Sequence, residues 1–186
     1  MKRAFFVLGC EGSGTRMLAQ AFIAAGCRGS ADHVQPLDNL DFSGEGDLVF
    51  RRSLPHGGAF PDLSLITAQM NLAGCEVCPV FIHRCSAYLA AHQLRTDRTH
   101  FGEPQAPYAE ELWQVSAHQG TAWLLAAVLS LEMGRPLSVV SYEAFVELET
   151  VRRAFFMTRG LPSPTGMEFY NANADPRYAH VEALPW

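Results

Sequence analysis

The chain has 186 residues, of which 48% are hydrophobic and 18% are charged, and its formal net charge at pH 7 is −5. This length and composition predict one soluble globular domain with a sizeable core. The acidic balance argues against a general nucleic-acid binder, because such proteins carry an excess of basic residues. The sequence also predicts no membrane span, because none of its stretches reaches the roughly 18 consecutive apolar residues required.

The first element is an apolar strand over residues 5–8, followed by a glycine-rich turn at residues 9–14 and a helical pattern that opens at Thr15. Glycines let the backbone approach an anion closely, and the amides and positive dipole at a helix start attract it. The spacing of Gly9 and Gly14 matches the Walker A template, but Thr15 stands in its lysine position and Arg16 in its Ser/Thr position. An anion site is therefore predicted, while an ATPase or kinase is disfavoured.

The rest of the chain alternates between helix and strand patterns. Helices are predicted up to Gly26, from Pro61, and over residues 86–94, 108–133 and 147–160, and strands are predicted over residues 47–53, 77–84 and 136–142. Residues 28–46 and 95–107 are predicted as long loops, and an irregular tail begins at about residue 162. Without repeats or a linker, this alternation predicts a single α/β domain over residues 1–186, a three-layer sandwich with a mostly parallel sheet flanked by helices.

Basic side chains stand where two predicted strands end: Arg51 and Arg52 on one, and Arg84 on the other. Parallel strands end at one edge of a sheet, so these residues should lie near the glycine turn. Adjacent strand residues face opposite ways, so at most one of Arg51 and Arg52 should enter the site. A buried Arg84 would need a ligand phosphate or a carboxylate such as Glu11.

The five cysteines are an odd number, and several lie in apolar runs, which is typical of reduced thiols in a cytoplasmic core. The pair Cys75-x-x-Cys78, with His83 and Cys85 nearby, offers an alternative zinc or redox site. No second Cys-x-x-Cys or His-x-x-x-His follows at finger spacing, so we expect no metal.

The order of four segments resembles the sulfotransferase family, which binds 3′-phosphoadenosine 5′-phosphosulfate on a P-loop-like fold. Residues 12–16 are similar to that family's 5′-phosphosulfate loop, and residues 80–84 with the following helix are similar to the strand and arginine that bind the 3′-phosphate. Residues 51–55 resemble the strand end that supplies catalytic residues in cytosolic members. Residues 137–146 resemble the late Tyr-Glu-Asp-Leu segment.

The resemblance implies a P-loop NTPase-like fold and a defined set of donor-binding residues. His92 stands eight residues beyond Arg84, where the family has a serine, and Ser53 stands where the family has its base histidine. Many members have a lysine or arginine at the position of Gly12. The residues implied to hold the donor are Gly12, Ser13, Gly14, Thr15, Arg16, Arg84 and His92.

Sulfuryl transfer needs positive charge on the reacting oxygens and a base for the acceptor. Arg16, together with Arg51 or Arg52, is predicted to supply the charge. His56 is the first candidate base because imidazole titrates near neutral pH, and His33 is the second. The expected acceptor is a small molecule or another hydroxyl-bearing or amine-bearing compound.

Two other functions remain open at this point. One is a nucleotide or small-molecule kinase, and the other is a non-catalytic nucleotide-binding protein, which the missing family lysine, histidine and serine favour. Tyr142 and Glu143 are interpreted as structural residues, and His118 as a residue on a helix face.

Overall fold

A computed structural model of the chain describes residues 1–56, 59–100, 103–179 and 181. Strands and helices largely alternate along the described residues, as the sequence predicts, but two pairs of strands and one pair of α-helices follow one another directly. They are β1 (Lys2–Gly9), α1 (Thr15–Ala24), β2 (Arg28–His33), β3 (Leu48–Ser53), α2 (Leu63–Leu72), β4 (Cys75–His83), α3 (Ser86–Gln93), β5 (Arg98–His100), β6 (Glu103–Gln105), α4 (Leu112–Glu132), β7 (Ser138–Ser141), α5 (Tyr142–Glu147) and α6 (Glu149–Met157), with short 3₁₀ turns at Ala172–Ala174 and Pro176–Tyr178.

Five of these strands form a parallel sheet in the order β2-β3-β1-β4-β7. The first strand is central, and its Phe6 lies opposite Phe50 of β3 and Pro79 of β4. All five strands run the same way, so their carboxyl ends meet at one edge. The glycine turn comes after β1, Arg51 and Arg52 lie near the end of β3, and Arg84 comes directly after β4. All of them therefore lie at this edge.

The central strand divides the core into two apolar layers because successive side chains point to opposite faces. Phe5 and Val7 pack with α1, α5 and α6, while Phe6 and Leu8 pack with α2, α3 and α4. The first layer is rich in aromatic rings, and Phe22 of α1 stacks on Phe5 with ring centroids 4.6 Å apart. Burying a phenylalanine stabilises a fold by about 1.5–3 kcal/mol. These layers confirm the predicted three-layer α/β sandwich.

Residues 28–46, which were predicted as a loop, begin with the edge strand β2, so that part of the prediction is wrong. An edge strand needs no alternating apolar pattern, and β2 carries the polar sequence Arg-Gly-Ser-Ala-Asp-His. A Cβ on Gly29 would lie 2.0 Å from the carbonyl oxygen of Val49, so only glycine allows this approach to β3. The strand delivers His33 to the sheet edge.

Two further segments contain elements that the sequence prediction did not include. The predicted loop over residues 95–107 contains a short antiparallel hairpin formed by β5 and β6. The predicted helix over residues 147–160 is preceded by a separate short helix, α5, which starts at Tyr142. The sequence prediction instead made Tyr142 the last residue of a strand. Among the described residues, none of the helices combines the length and the hydrophobicity needed to cross a bilayer.

The Cys75-x-x-Cys78 pair lies along β4, and its two side chains face opposite layers of the core. Cys75 belongs to the layer of α2, α3 and α4, whereas Cys78 packs against the layer of α1. Burial raises the pKa of both thiols. The two sulfur atoms therefore do not converge on one ion, and all five cysteines are free thiols.

Candidate anion-binding cleft

A cleft of about 570 Å³ lies at the carboxyl edge of the sheet, a size typical of ligand sites. Its lining includes six of the seven residues implied to hold a nucleotide donor, together with both candidate bases and Arg51. These lining residues are Gly12, Gly14, Thr15, Arg16, His33, Arg51, His56, Arg84 and His92. The fold thus brings together residues that are up to 80 positions apart in the chain.

The glycine turn closes on itself, and the start of α1 has no capping side chain. Gly12 and Gly14 have φ values of +87° and +98°, a conformation that favours glycine. The Ser13 N–H donates to the carbonyl oxygen of Cys10 at 3.0 Å. The first amides of a helix have no intrahelical partner, and Gly14 supplies no capping side chain. This helix start offers amide donors to an anion.

Two aromatic side chains press directly on the turn. A Cβ on Gly12 would lie 2.2 Å from the ring of His92, and a Cβ on Gly14 would lie 2.6 Å from the ring of Tyr142. Both distances are too short for any side chain. Glycine is therefore required at these positions for packing as well as for backbone conformation.

Ser13 is the one implied donor-binding residue that does not line the cleft. It is 1% exposed, and its Oγ turns back toward Gly9 and a small cavity next to Leu89 and Trp123. Its hydroxyl has no hydrogen-bond partner among the described residues. Ser13 contributes to the turn through its backbone.

Arg84 lies beside the glycine turn and is only 5% exposed. Its Nε donates to Oδ1 of Asn173 at 2.7 Å, and its Nη1 donates to the carbonyl oxygen of Gly12 at 3.0 Å. Its buried Nη2 has no hydrogen-bond partner in the described part of the chain. The guanidinium also lies 5.0 Å and 5.2 Å from the ring centroids of Tyr142 and Tyr178. Arg84 therefore retains one desolvated donor beside the cleft.

The segment that holds Arg84 comes from the tail, which the sequence predicts as irregular. Glu143 accepts hydrogen bonds from Nδ2 of Asn173 at 3.1 Å and from the backbone N–H of Cys85 at 2.9 Å. The hydroxyl of Tyr142 accepts from the backbone N–H of Ala172 at 2.8 Å. Tyr142 and Glu143 thus have structural contacts, and through them they fix the tail over the site.

His92 fills the space between the glycine turn and the tail. Its Nδ1 lies 3.1 Å from the hydroxyl of Tyr178. Burial, reinforced by the nearby charge of Arg84, lowers the pKa of His92 to about 4. The imidazole is therefore neutral at pH 7, where it offers a hydrogen bond to a ligand but no formal charge.

Arg51 defines the other cationic end of the cleft. Its Nη1 donates to Oγ1 of Thr15 at 3.1 Å and to Nε2 of His33 at 2.5 Å, and its Nε donates to the carbonyl oxygen of Ala31. Burial and the charge of Arg16 lower the pKa of Arg51 to about 10, so it stays protonated at pH 7.

Arg16 and Arg52 flank this end in different ways. Arg16 is exposed, lines the cleft and has Asp32 at 4.0 Å. Arg52 is 3% exposed and does not line the cleft, and burial lowers its pKa. Its Nε and Nη1 have no hydrogen-bond partner among the described residues. One of the two adjacent strand arginines enters the site, which agrees with the alternation of side chains along β3.

Glu11 contacts His56, whereas the sequence offered it as a partner of Arg84. Nδ1 of His56 lies 3.0 Å from Oε2 of Glu11. A carboxylate accepts, so Nδ1 carries the proton and the lone pair of His56 is on Nε2. The ring of His33 lies 3.9 Å from that of His56, but burial and Arg51 lower the pKa of His33 to about 3. His33 is therefore neutral at pH 7 and a poor proton acceptor.

Glu11, His33 and His56 also form the one group with metal-ligand spacing among the described residues, since their ligand atoms lie within 4.8 Å of one another. Two imidazoles and a carboxylate suit a transition-metal ion. However, Arg51 already donates to Nε2 of His33, and its positive charge disfavours a dication at this place. The contact between Glu11 and His56 suits proton transfer better.

Sequence reasoning assigned no role in the site to three residues that shape it, because their roles depend on contacts between distant segments. Asn173 and Tyr178 hold Arg84 and His92 from the tail. Gln93 is fully buried and donates from Nε2 to the carbonyl oxygen of Glu11 at 2.9 Å. Its Oε1 accepts a hydrogen bond from Nδ1 of His118. A carboxamide inside an apolar helix was the one local signal for Gln93.

A scan against protein-family models finds no match to this chain, and neither does a search of curated proteins. The functional interpretation therefore depends on the cleft itself.

Proposed function

We propose that the cleft binds 3′-phosphoadenosine 5′-phosphosulfate and that the protein transfers its sulfuryl group to the hydroxyl or amine of a small acceptor. In this proposal the fold is of the P-loop, sulfotransferase-like type. One observation carries it: two arginine ends, Arg84 on one side and Arg51 with Arg16 on the other, flank one uncapped glycine turn in one cleft. A ligand with two separated anionic groups fits this arrangement.

The 5′-phosphosulfate belongs at the start of α1. The free first-turn amides and the helix dipole favour an anion there. Arg51 is desolvated and fixed by three contacts, whereas Arg16 is exposed and free to turn toward a bound group. Guanidinium groups suit the oxygens of phosphate and sulfate because they donate two parallel hydrogen bonds.

The 3′-phosphate belongs beside Arg84. A buried guanidinium nitrogen without a partner is costly, and a phosphate oxygen would satisfy it. His92 adds a second donor, and a nearby dianion would raise its lowered pKa.

The donor supplies an activated sulfuryl group whose bond to phosphate is the one that breaks. His56 accepts the acceptor proton at Nε2 while the acceptor oxygen or nitrogen forms its bond to sulfur. Glu11 holds His56 in the required tautomer. Arg16 and Arg51 offset the charge that develops on the departing phosphate oxygen.

Calorimetric titration with 3′-phosphoadenosine 5′-phosphate, AMP and ATP tests the binding part. We expect the bisphosphate to bind at least about tenfold more tightly than AMP. Arg153→Ala removes an exposed arginine on α6 and serves as a charge control, so it should leave all three affinities unchanged. Magnesium-dependent preference for ATP would instead support a kinase, and failure of all three to bind would overturn the proposal.

A non-catalytic nucleotide-binding protein is the second candidate, and the crowding of the turn by His92 and Tyr142 favours it. Turnover separates the two functions. With the phosphosulfate donor and a panel of phenols, alcohols and amines, we expect release of the bisphosphate product that falls at least about 100-fold in His56→Gln while its nucleotide affinity is retained. Tight nucleotide binding without turnover by the unmodified protein would assign the non-catalytic role.

A further inference from the structure

Helix α4 is apolar around most of its circumference. Its residues 112–131 include no aspartate, glutamate, lysine or arginine. Val115, Ala122, Ala126 and Leu129 face the core and are buried. A helix that is apolar all round is typically buried on every side. The outer side of α4 lacks such cover from the described residues of this chain.

The outer side of α4 forms a continuous apolar stripe at spacings of three and four residues. Trp113 is 65% exposed, Leu124 is 63% exposed and Leu131 is 81% exposed. We call this set the outer stripe; it consists of Trp113, Ala117, Gly120, Leu124, Val128 and Leu131.

Gly120 lies near the centre of the outer stripe, where neither backbone conformation nor packing within the described part of the chain requires glycine. It has an ordinary helical backbone, and no described residue beyond its own helix lies within 4 Å of where a Cβ would be. A glycine inside a helix is less favourable than alanine by about 1 kcal/mol. A missing side chain at this point permits the close approach of another backbone.

We propose that the outer stripe is the interface of a homodimer in which α4 packs antiparallel against α4 of a second copy. A two-fold axis pairs the same surface on both subunits. An axis midway between Gly120 and Leu124 sets Gly120 of each copy opposite Leu124 of the other. The same axis sets Trp113 opposite Leu131. Large side chains then meet large ones at the ends, and a leucine enters the space above the glycine at the centre.

The area of the outer stripe reaches the lower limit of what a specific dimer needs. α4 has 21 residues and is about 30 Å long. The large side chains of the outer stripe offer roughly 500 Å² of apolar surface per copy, or roughly 1,000 Å² in a pair, which is the lower limit for a specific interface.

A second copy fits the outer stripe better than a membrane or a charged partner. Helices that lie on membranes carry lysine and arginine beside their apolar face, and residues 112–131 have neither. The net charge of −5 would also oppose anionic lipids. An uncharged surface offers no charge pattern by which to select a different protein, whereas the outer stripe is complementary to itself. This inference is independent of the sulfuryl-transfer proposal.

Sedimentation velocity on the full chain, from about 1 to about 100 µM, tests the proposal. We expect a species of twice the 20.5 kDa chain mass for the unmodified protein and a monomer for Leu124→Asp. Leu148→Asp is the matched control: it changes an exposed leucine at the start of α6, on the other side of the sheet, and should leave the dimer intact. Circular dichroism checks that each variant is folded.

Gly120→Ala provides a second variant whose two effects have opposite signs. We expect it to raise the dimer dissociation constant at least about tenfold, because a methyl group blocks the close approach. Introduced into the monomeric Leu124→Asp variant, the same change should raise the melting temperature, because alanine favours helix. A purely local role for Gly120 would produce only the second effect.

Three results would overturn the proposal. The first is an unmodified protein that stays monomeric over the whole concentration range. The second is a dimer that persists unchanged in folded Leu124→Asp or, where that variant does not fold, in Gly120→Ala. The third is flotation of the unmodified protein with phosphatidylcholine–phosphatidylserine vesicles that is lost in Leu124→Asp, which would assign the outer stripe to a lipid surface.

Discussion

The two arginine ends of the cleft are held by different kinds of contact. Arg51 donates hydrogen bonds to Thr15, His33 and the carbonyl oxygen of Ala31. These partners lie on the neighbouring strand and on the adjoining helix. Arg84 donates a hydrogen bond from Nε to Asn173, which lies 89 residues further along the chain. The Arg51 end therefore forms with the sheet, whereas the Arg84 end also requires the tail to dock.

This difference has a consequence for ligand selection. A guanidinium held by the sheet, such as that of Arg51, suits the 5′-phosphate, which is common to these nucleotides. A guanidinium whose Nη2 is left unbonded suits the feature that distinguishes the bisphosphate nucleotide. Variants at the two ends should therefore change different properties.

The largest effect is expected for Arg84→Ala. Affinity for 3′-phosphoadenosine 5′-phosphate should fall about 100-fold, to the level of AMP, because a desolvated charge partner is lost. Arg16→Ala, at the other end, should weaken both nucleotides alike. Calorimetry with each nucleotide distinguishes these outcomes, and equal losses for both nucleotides in Arg84→Ala would remove the 3′-phosphate assignment.

Gly12→Ala should produce the next largest change, because the added Cβ meets the ring of His92. Gly26→Ala is its matched control, since Gly26 has a similar positive φ of 96° and no atom within 4 Å of its Cβ position. We expect Gly12→Ala to lower the free energy of unfolding by about 2 kcal/mol more than Gly26→Ala. Urea denaturation measures both, and combining Gly12→Ala with His92→Ala should recover part of the excess.

Asn173→Ala should have a smaller effect, confined to the Arg84 end. Removing Oδ1 frees Nε of Arg84 and loosens the tail, so affinity for the bisphosphate should fall about tenfold while affinity for AMP changes little. Asn71→Ala, on α2, is the control. An Asn173→Ala variant with undiminished bisphosphate affinity would show that the tail does not position Arg84.

Per pH unit, the smallest effect is expected in the pH dependence of stability. The fold keeps His92 neutral, with its pKa lowered from 6.5 to about 4, while the unfolded chain takes up a proton near pH 6.5. Stability is therefore full above about pH 6.5 and falls as the pH decreases toward 4, by up to about 1 kcal/mol per pH unit. His92→Gln should flatten this slope in urea denaturation at pH 7 and pH 5; an unchanged slope would contradict the lowered pKa.

The sequence predicts the parts of the molecule that local patterns determine. The apolar run of β1, the glycine spacing and the start of α1 are contiguous, and the strand ends at Arg51 and Arg84 follow from buried runs. The common edge then follows from the parallel arrangement. The resulting cleft collects the candidate residues except Ser13, while their roles in binding and catalysis stay predictions.

The missing parts are those that only tertiary contacts determine. β2 is a polar edge strand whose single strand partner is β3, so no periodic pattern marks it. The contact of Glu11 with His56 requires two loops to meet, and Asn173 reaches Arg84 across 89 residues. Neither pairing leaves a trace in spacing or composition.

The position of Asn173 so late in the chain also affects biosynthesis. The sheet can assemble during translation once β7 has emerged from the ribosome, because chains begin to fold from the N-terminal side. The partner of Arg84 arrives only afterwards. A nascent chain with its sheet in place would thus still lack the completed cleft, and the proposed nucleotide binding should begin only after residues 171–178 have also emerged from the ribosome.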